Sequence, residues 1–596
     1  MGLKKIGRKY AKAYLIERGI EMSWSTIKRS PKRRSTKLSK QPAATANDNM
    51  IPHKLVEELP TDQLGRNLDT TIELLKNLLG KNADFFCRKF QMYGKFNAAI
   101  IYFSSIVDKN AINSGIMKPL MYVPVQTDLE KLTVTNVLDF ILNEAMFHTE
   151  IKKEDSIENI INALLRGETF IFIDGVNSGI QFAVKNIEKR SISQPETEQV
   201  ILGPREGFIE SLQTNIALLR NRLKTADFRV EIMEIGRISK STTAICYLEG
   251  IATDDLVKEV KDRLGKIDID AILDVGYIEQ FIEDNHMSPF PQIQSTERPD
   301  KTVGSILEGR VAILVDGSPF SIIAPVVFNQ FYQTFEDYSS RFLMGSFVRI
   351  ARMIALVFSL IFPSLYVSFI SFNPELLPTE FAVAVAGGRA GVPFPAVVEV
   401  LIIEVAMEIL REATVRLPKQ VGGALSIVGV LVIGQAAVEA GIASPITVVV
   451  IAMTTIGSFA TPAYDAAFAL RMLRFPIVIM AGFFGLYGVV IGVIFIFNHM
   501  LSLKSFGVPY MSPVTPGNFQ GLKDVIIRAP FWWMPKRPQM LHSQNSDRLG
   551  KTKGESKKGT SNTLDPVMVG NEKWEEDKSS GISTRDNSHS SNNDSN

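Results

Sequence analysis

Apolar residues come in short alternating runs and amphipathic stretches up to about residue 345, then merge into long blocks from Phe347 onward. Ile350–Phe372 (IARMIALVFSLIFPSLYVSFISF), Gly422–Ile442 and Pro476–His499 each hold enough consecutive apolar residues to cross a hydrocarbon core of about 30 Å. Pro445–Thr461 is shorter but nearly uncharged. Small residues at Gly422, Gly423, Ser426, Gly429 and Gly434 allow close helix approach. This pattern predicts an α-helical transmembrane bundle over residues 346–500.

A fifth segment mixes grease and charge. Between Pro395 and Pro418, AVVEVLIIEVAMEILREATVRL carries Glu399, Glu404, Glu408, Arg411, Glu412 and Arg416. At about 100° per residue, Glu404, Glu408, Arg411 and Glu412 fall within roughly one third of the helix circumference. Ionisable residues at membrane depth face a bundle interior or a water-filled path, which points to an oligomeric pore. The other reading is a helix lying in the headgroup interface. Flanking cations decide between them. Arg341, Arg349 and Arg352 precede the first span and the next loop carries only Arg389, so the soluble region is expected on the cytosolic side. If the charged segment spans, Arg411, Arg416, Lys419, Arg471 and Arg474 also fall on that side. Five spans result, with an external C-terminal tail bearing Lys504. In the third block Gln435 and Glu439, at i and i+4, share one helix face and are candidate gating or helix-contact residues.

The soluble region repeats itself. Leu68–Phe86 (LDTTIELLKNLLGKNADFF) matches Leu212–Arg229 (LQTNIALLRNRLKTADFR), Ala99–Asp108 matches Ala244–Thr253, and Gly167–Ile180 matches Gly309–Ile322. Each reads as an amphipathic helix or a strand, and the three matches keep their order. Two copies of one α/β domain are therefore expected, over 58–199 and 200–345. Asp174-Gly175 and Asp316-Gly317 sit between alternating apolar runs and predict tight hairpin turns. No His, Cys or second acid stands where it would make these aspartates catalytic.

Between the copies, Gly203, Pro204, Arg205, Glu206 and Gly207 break the chain before a helix whose first turn is favoured by Glu206 and Glu210. Arg205, Arg220 and Arg222 invite an anion-binding reading, but no GxxxxGK[ST] or GxGxxG accompanies them, and an Arg/Glu-rich interface helix is the plainer account. The 596 residues carry a net charge of only +2, unevenly spread. Residues 1–57 form a basic, Lys/Arg/Ser-rich arm and residues 539–596 a polar tail; both compositions predict disorder, with 501–538 a juxtamembrane segment. The start of the chain lacks the continuous apolar core of a secretory signal. Cys87 and Cys246 give neither metal spacing nor a disulfide framework. No nucleophile constellation, metal cluster or phosphate loop stands out, so the expectation is a non-enzyme without cofactor or metal and without a nucleic-acid partner.

Several long runs together resemble a known family. GPREGFIESLQTNIALLRNRL, STTAICYLEGIA, TERPDKTVGSILEGRVAILVDGSPFSIIAP and AMEILREATVRLPKQVGGALSIVGVLVIGQAAVEAGIASP are similar to GerA-type spore germination proteins, specifically the A subunit of nutrient germinant receptors. The resemblance covers about Leu59 to Pro538. One departure is Leu202, where the family often has Arg, so an essential Arg cluster does not carry over to this turn. The resemblance implies an integral subunit of the spore inner membrane with cytosolic N-terminal domains. It also implies a homo-oligomeric ring, a pentamer, forming a nutrient-gated channel that favours cations. A transporter-like B subunit would read the nutrient, and a lipoprotein C subunit and membrane lipids would complete the setting. The competing expectation is a non-conducting scaffold for the nutrient-binding subunit.

Overall fold

The computed structural model describes residues 63–122, 132–145, 150–186, 194–195, 197–415, 432–517 and 519–549. The basic arm, the tail beyond 549 and the first half of Gly422–Ile442 lie outside the described residues.

Two sheet units come first. In the first, α1 (Leu68–Leu79), β1 (Phe85–Met92), β2 (Phe96–Phe103), β3 (Ile151–Glu154), α2 (Ile157–Arg166), β4 (Thr169–Ile173) and β5 (Gly179–Phe182) follow one another. The second holds α3 (Leu212–Arg222), β6 (Phe228–Ile235), β7 (Ser241–Leu248), α4 (Asp254–Gly265), α5 (Val275–Ile282), β8 (Gln294–Thr296), α6 (Pro299–Glu308), β9 (Val311–Val315) and β10 (Ser321–Ala324). Both sheets have five strands, ordered β1-β2-β4-β5-β3 and β6-β7-β9-β10-β8. All their pairings are antiparallel.

Central strands buried on both faces read as unbroken apolar runs, and their alternation splits them between two cores. Phe170 and Phe172 of β4 pack under α1 and α2, while Ile171 and Ile173 face the helical turns on the other side. In β9, Ala312 and Leu314 meet α3 and α6, while Val311, Ile313 and Val315 meet α4 and α5. Each unit is thus helix, sheet, helix. Both α2 and α6 end on a left-handed glycine, Gly167 (φ 97°) and Gly309 (φ 104°), which a side chain would strain.

The two Asp-Gly pairs open five-residue loops, 174–178 and 316–320, instead of two-residue turns. The reason lies in the aspartates' second task. Asp174 accepts the backbone N–H of Leu68 at 3.3 Å and Asp316 that of Leu212 at 3.1 Å, capping α1 and α3 from across the sheet.

The units are locked through α3. Arg220, fully buried, donates from Nε and Nη2 to the two oxygens of Asp84 in the first unit, both at 2.8 Å, and its plane lies against Phe103 and Phe228. Ala83 N–H donates to the Val230 carbonyl at 2.9 Å, and Arg229 pairs with Glu249. Arg220 is therefore an internal tie, not an anion ligand.

Beyond the second unit the chain becomes helical: α7 (Phe342–Ser371), α8 (Thr379–Arg389), α9 (Ala396–Val415), a helical segment 432–439, α10 (Pro445–Ser458), α11 (Tyr464–Phe484) and α12 (Leu486–Ser502). Two of these, α7 and α11, are long and apolar enough to cross a membrane, and α10 and α12 are shorter apolar helices. The end of α7 next to the second sheet unit is called the near end here. Tyr366 bonds Thr447 at 2.9 Å, and the Cα of Gly457 lies close to Ala355, so α10 runs antiparallel to α7.

Here the structure corrects the expected spans. Pro476–His499 is not one crossing. Pro476 sits inside α11, the chain reverses at Gly485, and Gly488 and Gly492 pack back on Met480 and Ile477. This hairpin returns the chain to the near end, where His499 bonds Ser288 at 2.9 Å. The C-terminal segment is consequently not on the far side. A short hairpin of β11 (Lys504–Ser505) and β12 (Val508–Pro509) follows, and Ser505 Oγ donates to Gln292 O and accepts from Val326 N–H. Gln544 N–H reaches Ile251 O at 3.1 Å, so residues 539–549, expected within the tail, pack on the second unit.

Candidate functional site

The charged helix α9 packs against α11, α7 and α10. Its helical period lines up Glu404 and Glu408, and the same interface of α11 presents Arg471 and Arg474, three residues apart. The result is a ladder of opposite charges. Arg474 Nη1 donates to both oxygens of Glu404, at 3.0 and 2.8 Å, with Arg474 4% and Glu404 5% exposed. Nearer the end of α9, Glu408 takes Arg411 Nη1 at 2.8 Å and lies 3.4 Å from Arg471 Nε. Arg411 reaches Ser458 Oγ on α10 at 3.3 Å and stacks over Phe459; Arg471 lies over Tyr464 and Phe468.

At the far end Glu399 is fully buried. It accepts the backbone N–H of Ser444, the residue that caps α10, and sits 3.3 Å from Arg389 at the end of α8. One carboxylate thus joins three helices. Glu412 is exposed on the last turn of α9.

An ion pair in a low-dielectric bundle is stable only where charge and hydrogen bonding are both matched. The ladder sets three arginines, Arg411, Arg471 and Arg474, against two carboxylates, Glu404 and Glu408, and its hydrogen bonding is incomplete among the described residues. Among the described residues, Nε of Arg411 and of Arg474 and Nη2 of Arg471 are buried without a hydrogen-bond acceptor, and Arg471 Nε faces the Glu408 carboxylate without hydrogen-bonding it. Desolvated donors of this kind call for water or a neighbouring chain.

Gln435 and Glu439 do share one face, as their spacing requires, but that face is the surface: both are exposed, while Ala437 between them is buried. The expected buried acid at 439 is therefore an outward one. The segment Gly203–Gly207 runs over the second unit. Gly203 (φ 134°) passes Phe335, Pro204 O accepts Arg298 Nη2 at 2.9 Å, and Glu206 pairs with Arg222 at 2.7 Å. Arg205 is exposed and Gly207 buried. Three of the arginines considered for an anion are thus dispersed: one tied to Asp84, one to Glu206, one on the surface.

Sequence reasoning missed two groups. Arg471 and Arg474 were assigned to a cytosolic flank; their i, i+3 spacing inside an apolar helix, set against Glu404 and Glu408, was the available signal. Arg349 and Arg352 are likewise more than a flank. Buried at the near end of α7, both pair with Asp337, at 3.2 and 3.1 Å, and Arg349 also holds Asp524 at 2.9 Å. The Tyr338 hydroxyl donates to Asp524 at 2.8 Å, and burial, with that carboxylate beside it, pushes the phenol well above its ordinary range. This knot ties together the second sheet unit, the first long helix and the C-terminal segment. Among the described residues there is no cluster of acids, histidines and cysteines able to hold a metal.

Compared with known proteins, residues 73–540 match the family described as Bacillus/Clostridium GerA spore germination protein. The chain belongs to the GerA spore germination protein family. Spore germination protein KA of Bacillus subtilis (strain 168) is 44% identical over 495 residues, covering 83% of this chain and 89% of that protein. GerLA of Bacillus cereus is 38% identical over 485 residues, covering 81% and 97%. The solved N-terminal domain of the A subunit of the Bacillus megaterium spore germinant receptor GerK3 is 35% identical, covers 45% of this chain and 97% of that one, and superposes with a TM-score of 0.36. The resemblance seen in the GPREGF and LREATVRLPKQ runs is thus a family membership.

Proposed function

We propose that this GerA-family chain is the A subunit of a nutrient germinant receptor, embedded in the spore inner membrane, and that copies of it assemble into a ring around an ion path. The observation that carries the reading is the ladder between α9 and α11: two carboxylates and three arginines at bundle depth, with arginine N–H donors that find no acceptor among the described residues. A monomer in lipid would strand those donors; a ring supplies water in the path or acceptors from the next copy. The surface supports the membrane. Phe483, Phe484, Tyr487, Ile494 and Phe495 are largely exposed in one hairpin, a concentration of large apolar side chains that suits lipid better than water.

In this reading the two sheet units are copies of one domain, equal in strand order and in the Asp caps of α1 and α3, and they form a cytosolic collar. The collar pulls on α7 through the Asp337 knot. Recognition of the nutrient falls to a transporter-like B subunit, with a lipoprotein C subunit as third component. Glu404 serves as an internal counter-ion of Arg474 and Glu408 of Arg411 and Arg471; the outward Glu439 borders the path and favours cations.

The scaffold alternative draws on the same ladder, since paired charges need no ion. Flux through the full chain reconstituted in liposomes separates the two. Cation flux that falls in a Glu439→Gln variant supports the channel. A chain that inserts, oligomerises and conducts nothing, with its partners present and nutrient added, is a scaffold. Glu404→Gln alone is a poor probe, because stranding Arg474 costs about 3–5 kcal/mol; Glu404→Leu/Arg474→Met removes both charges and isolates their role.

A further inference from the structure

The segment that follows α12 is amphipathic the wrong way round for water. Between Asp524 and Trp533 its two charged side chains turn inward. Asp524 is taken by Arg349 and Tyr338. The backbone of Arg528 exchanges hydrogen bonds with Ser346 Oγ, at 3.1 and 3.2 Å, and its buried guanidinium lies over Phe531 and Tyr338. Val525 and Ala529 are buried, but its largest apolar groups turn outward: Ile526 is 48% exposed, Ile527 58%, Trp532 68% and Trp533 61%. A segment lying against water would be built in reverse.

The patch does not stand alone. Trp532 packs edge-on against Phe342 at 6.3 Å, level with the first turns of α7, where Leu343, Met344 and Phe347 are also strongly exposed. Ile526 closes the lower end of a groove of about 530 Å³ that runs up α7 between Ile350 and Leu365 and is walled by apolar side chains. Exposed cations, Arg341, Lys523 and Lys536, flank it. Aromatic rings and aliphatic chains at the root of a span, with a basic fringe, are the composition that settles at the headgroup level of a bilayer.

We infer that residues 522–533 are a second membrane anchor, lying in the headgroup interface of an anionic lipid surface on the near side of the bundle. The inference rests on the reading that the bundle spans a membrane. Charge selects lipid over a second copy of the chain: an isologous contact across this patch would bring the same cations face to face, whereas acidic headgroups neutralise them. Because Arg349, Asp524 and Ser346 fasten the anchor to α7 while Arg537 and Gln544 fasten its continuation to Leu307 and Ile251 of the second sheet unit, the lipid surface holds the collar at a fixed height.

The test uses the native tryptophans of the full chain in vesicles of phosphatidylglycerol and phosphatidylcholine. With Trp24→Phe and Trp574→Phe, emission comes from Trp532 and Trp533 alone. Lipids brominated near the headgroup should quench it about twofold more than lipids brominated near the chain ends, as expected for rings seated about 5–10 Å into the boundary. Replacing the phosphatidylglycerol by phosphatidylcholine should reduce the quenching, and undiminished quenching overturns the anionic part. Emission untouched by either bromolipid overturns the anchor, whether aqueous acrylamide quenches it (solvent) or not (a protein partner). A Trp532→Phe/Trp533→Phe/Phe495→Trp chain, in the same background, reports on the bundle itself. If that deep probe is also unquenched, the spanning reading has failed; if only the native pair is unquenched, the anchor has.

Discussion

Glu279, on α5 where the second sheet unit meets the start of α11, is pushed up to about 8 from an ordinary 4.5, first by burial and then by the charges of Asp465 and Glu283; the Ser295 hydroxyl, at 3.1 Å, pulls the other way. Between about pH 4.5 and about pH 8 the folded chain keeps a proton that the unfolded chain has released, so stability falls as pH rises through that window. Glu279→Gln removes the proton exchange. Thermal unfolding followed across the window should show a midpoint that declines with pH in the parent and less steeply in the variant, where Glu283 and Glu168, also pushed up by burial, still contribute. Parallel declines would mean that another group sets the slope. Glu404 and Arg474 differ in kind: their charges answer each other inside the bundle, so the pair acts on specificity of helix packing more than on net stability.

The α11–α12 hairpin turns on one residue. Gly485 adopts φ 58°, ψ −138°, and a Cβ there would stand 2.9 Å from the Phe372 side chain at the end of α7. Gly485→Ala should therefore cost about 1–3 kcal/mol, read as a lowered unfolding midpoint in detergent. Adding Phe372→Ala should return only part of it, because the ring goes while the Phe372 Cβ, itself 2.9 Å away, and the backbone strain both stay; full recovery would deny the strain. This turn also marks where the sequence stops being readable. Hydrophobicity runs unbroken through Phe483 and Tyr487, so nothing in the pattern separates two helices from one long span, and the reversal depends on a backbone angle that only the fold reveals. The sheet units were legible because Leu68 and Asp174, 106 residues apart, recur as Leu212 and Asp316, 104 residues apart, with the apolar runs between them in the same order. Arg349, Arg352, Arg471 and Arg474 were visible as cations but not as partners, since Asp337 precedes α7 and Glu404 lies seventy residues from Arg474. Long-range pairing of that kind leaves no local trace.

At the scale of the molecule, the chain enters and leaves the helical bundle at the same end. Phe342 begins α7 beside the second sheet unit, α12 ends there with His499 against Ser288, and the following segment is stitched to Gln292, Val326 and Ile251. The connection between α7 and α8, containing Leu376, lies at the other end. If the bundle crosses a membrane, the sheet units and residues 503–549 face one compartment and Leu376 the opposite one. Single cysteines in a Cys87→Ser/Cys246→Ala chain make this measurable: Lys266→Cys on the second unit, Gln544→Cys on the C-terminal segment and Leu376→Cys in the connection, all at exposed positions. In sealed vesicles an impermeant maleimide should label Lys266→Cys and Gln544→Cys together and Leu376→Cys only from the other side. Gln544→Cys labelling in company with Leu376→Cys would restore an odd number of crossings. It would also break the stitching on which the coupling of collar to α7 depends, because Gln544 cannot bond Ile251 from across a bilayer.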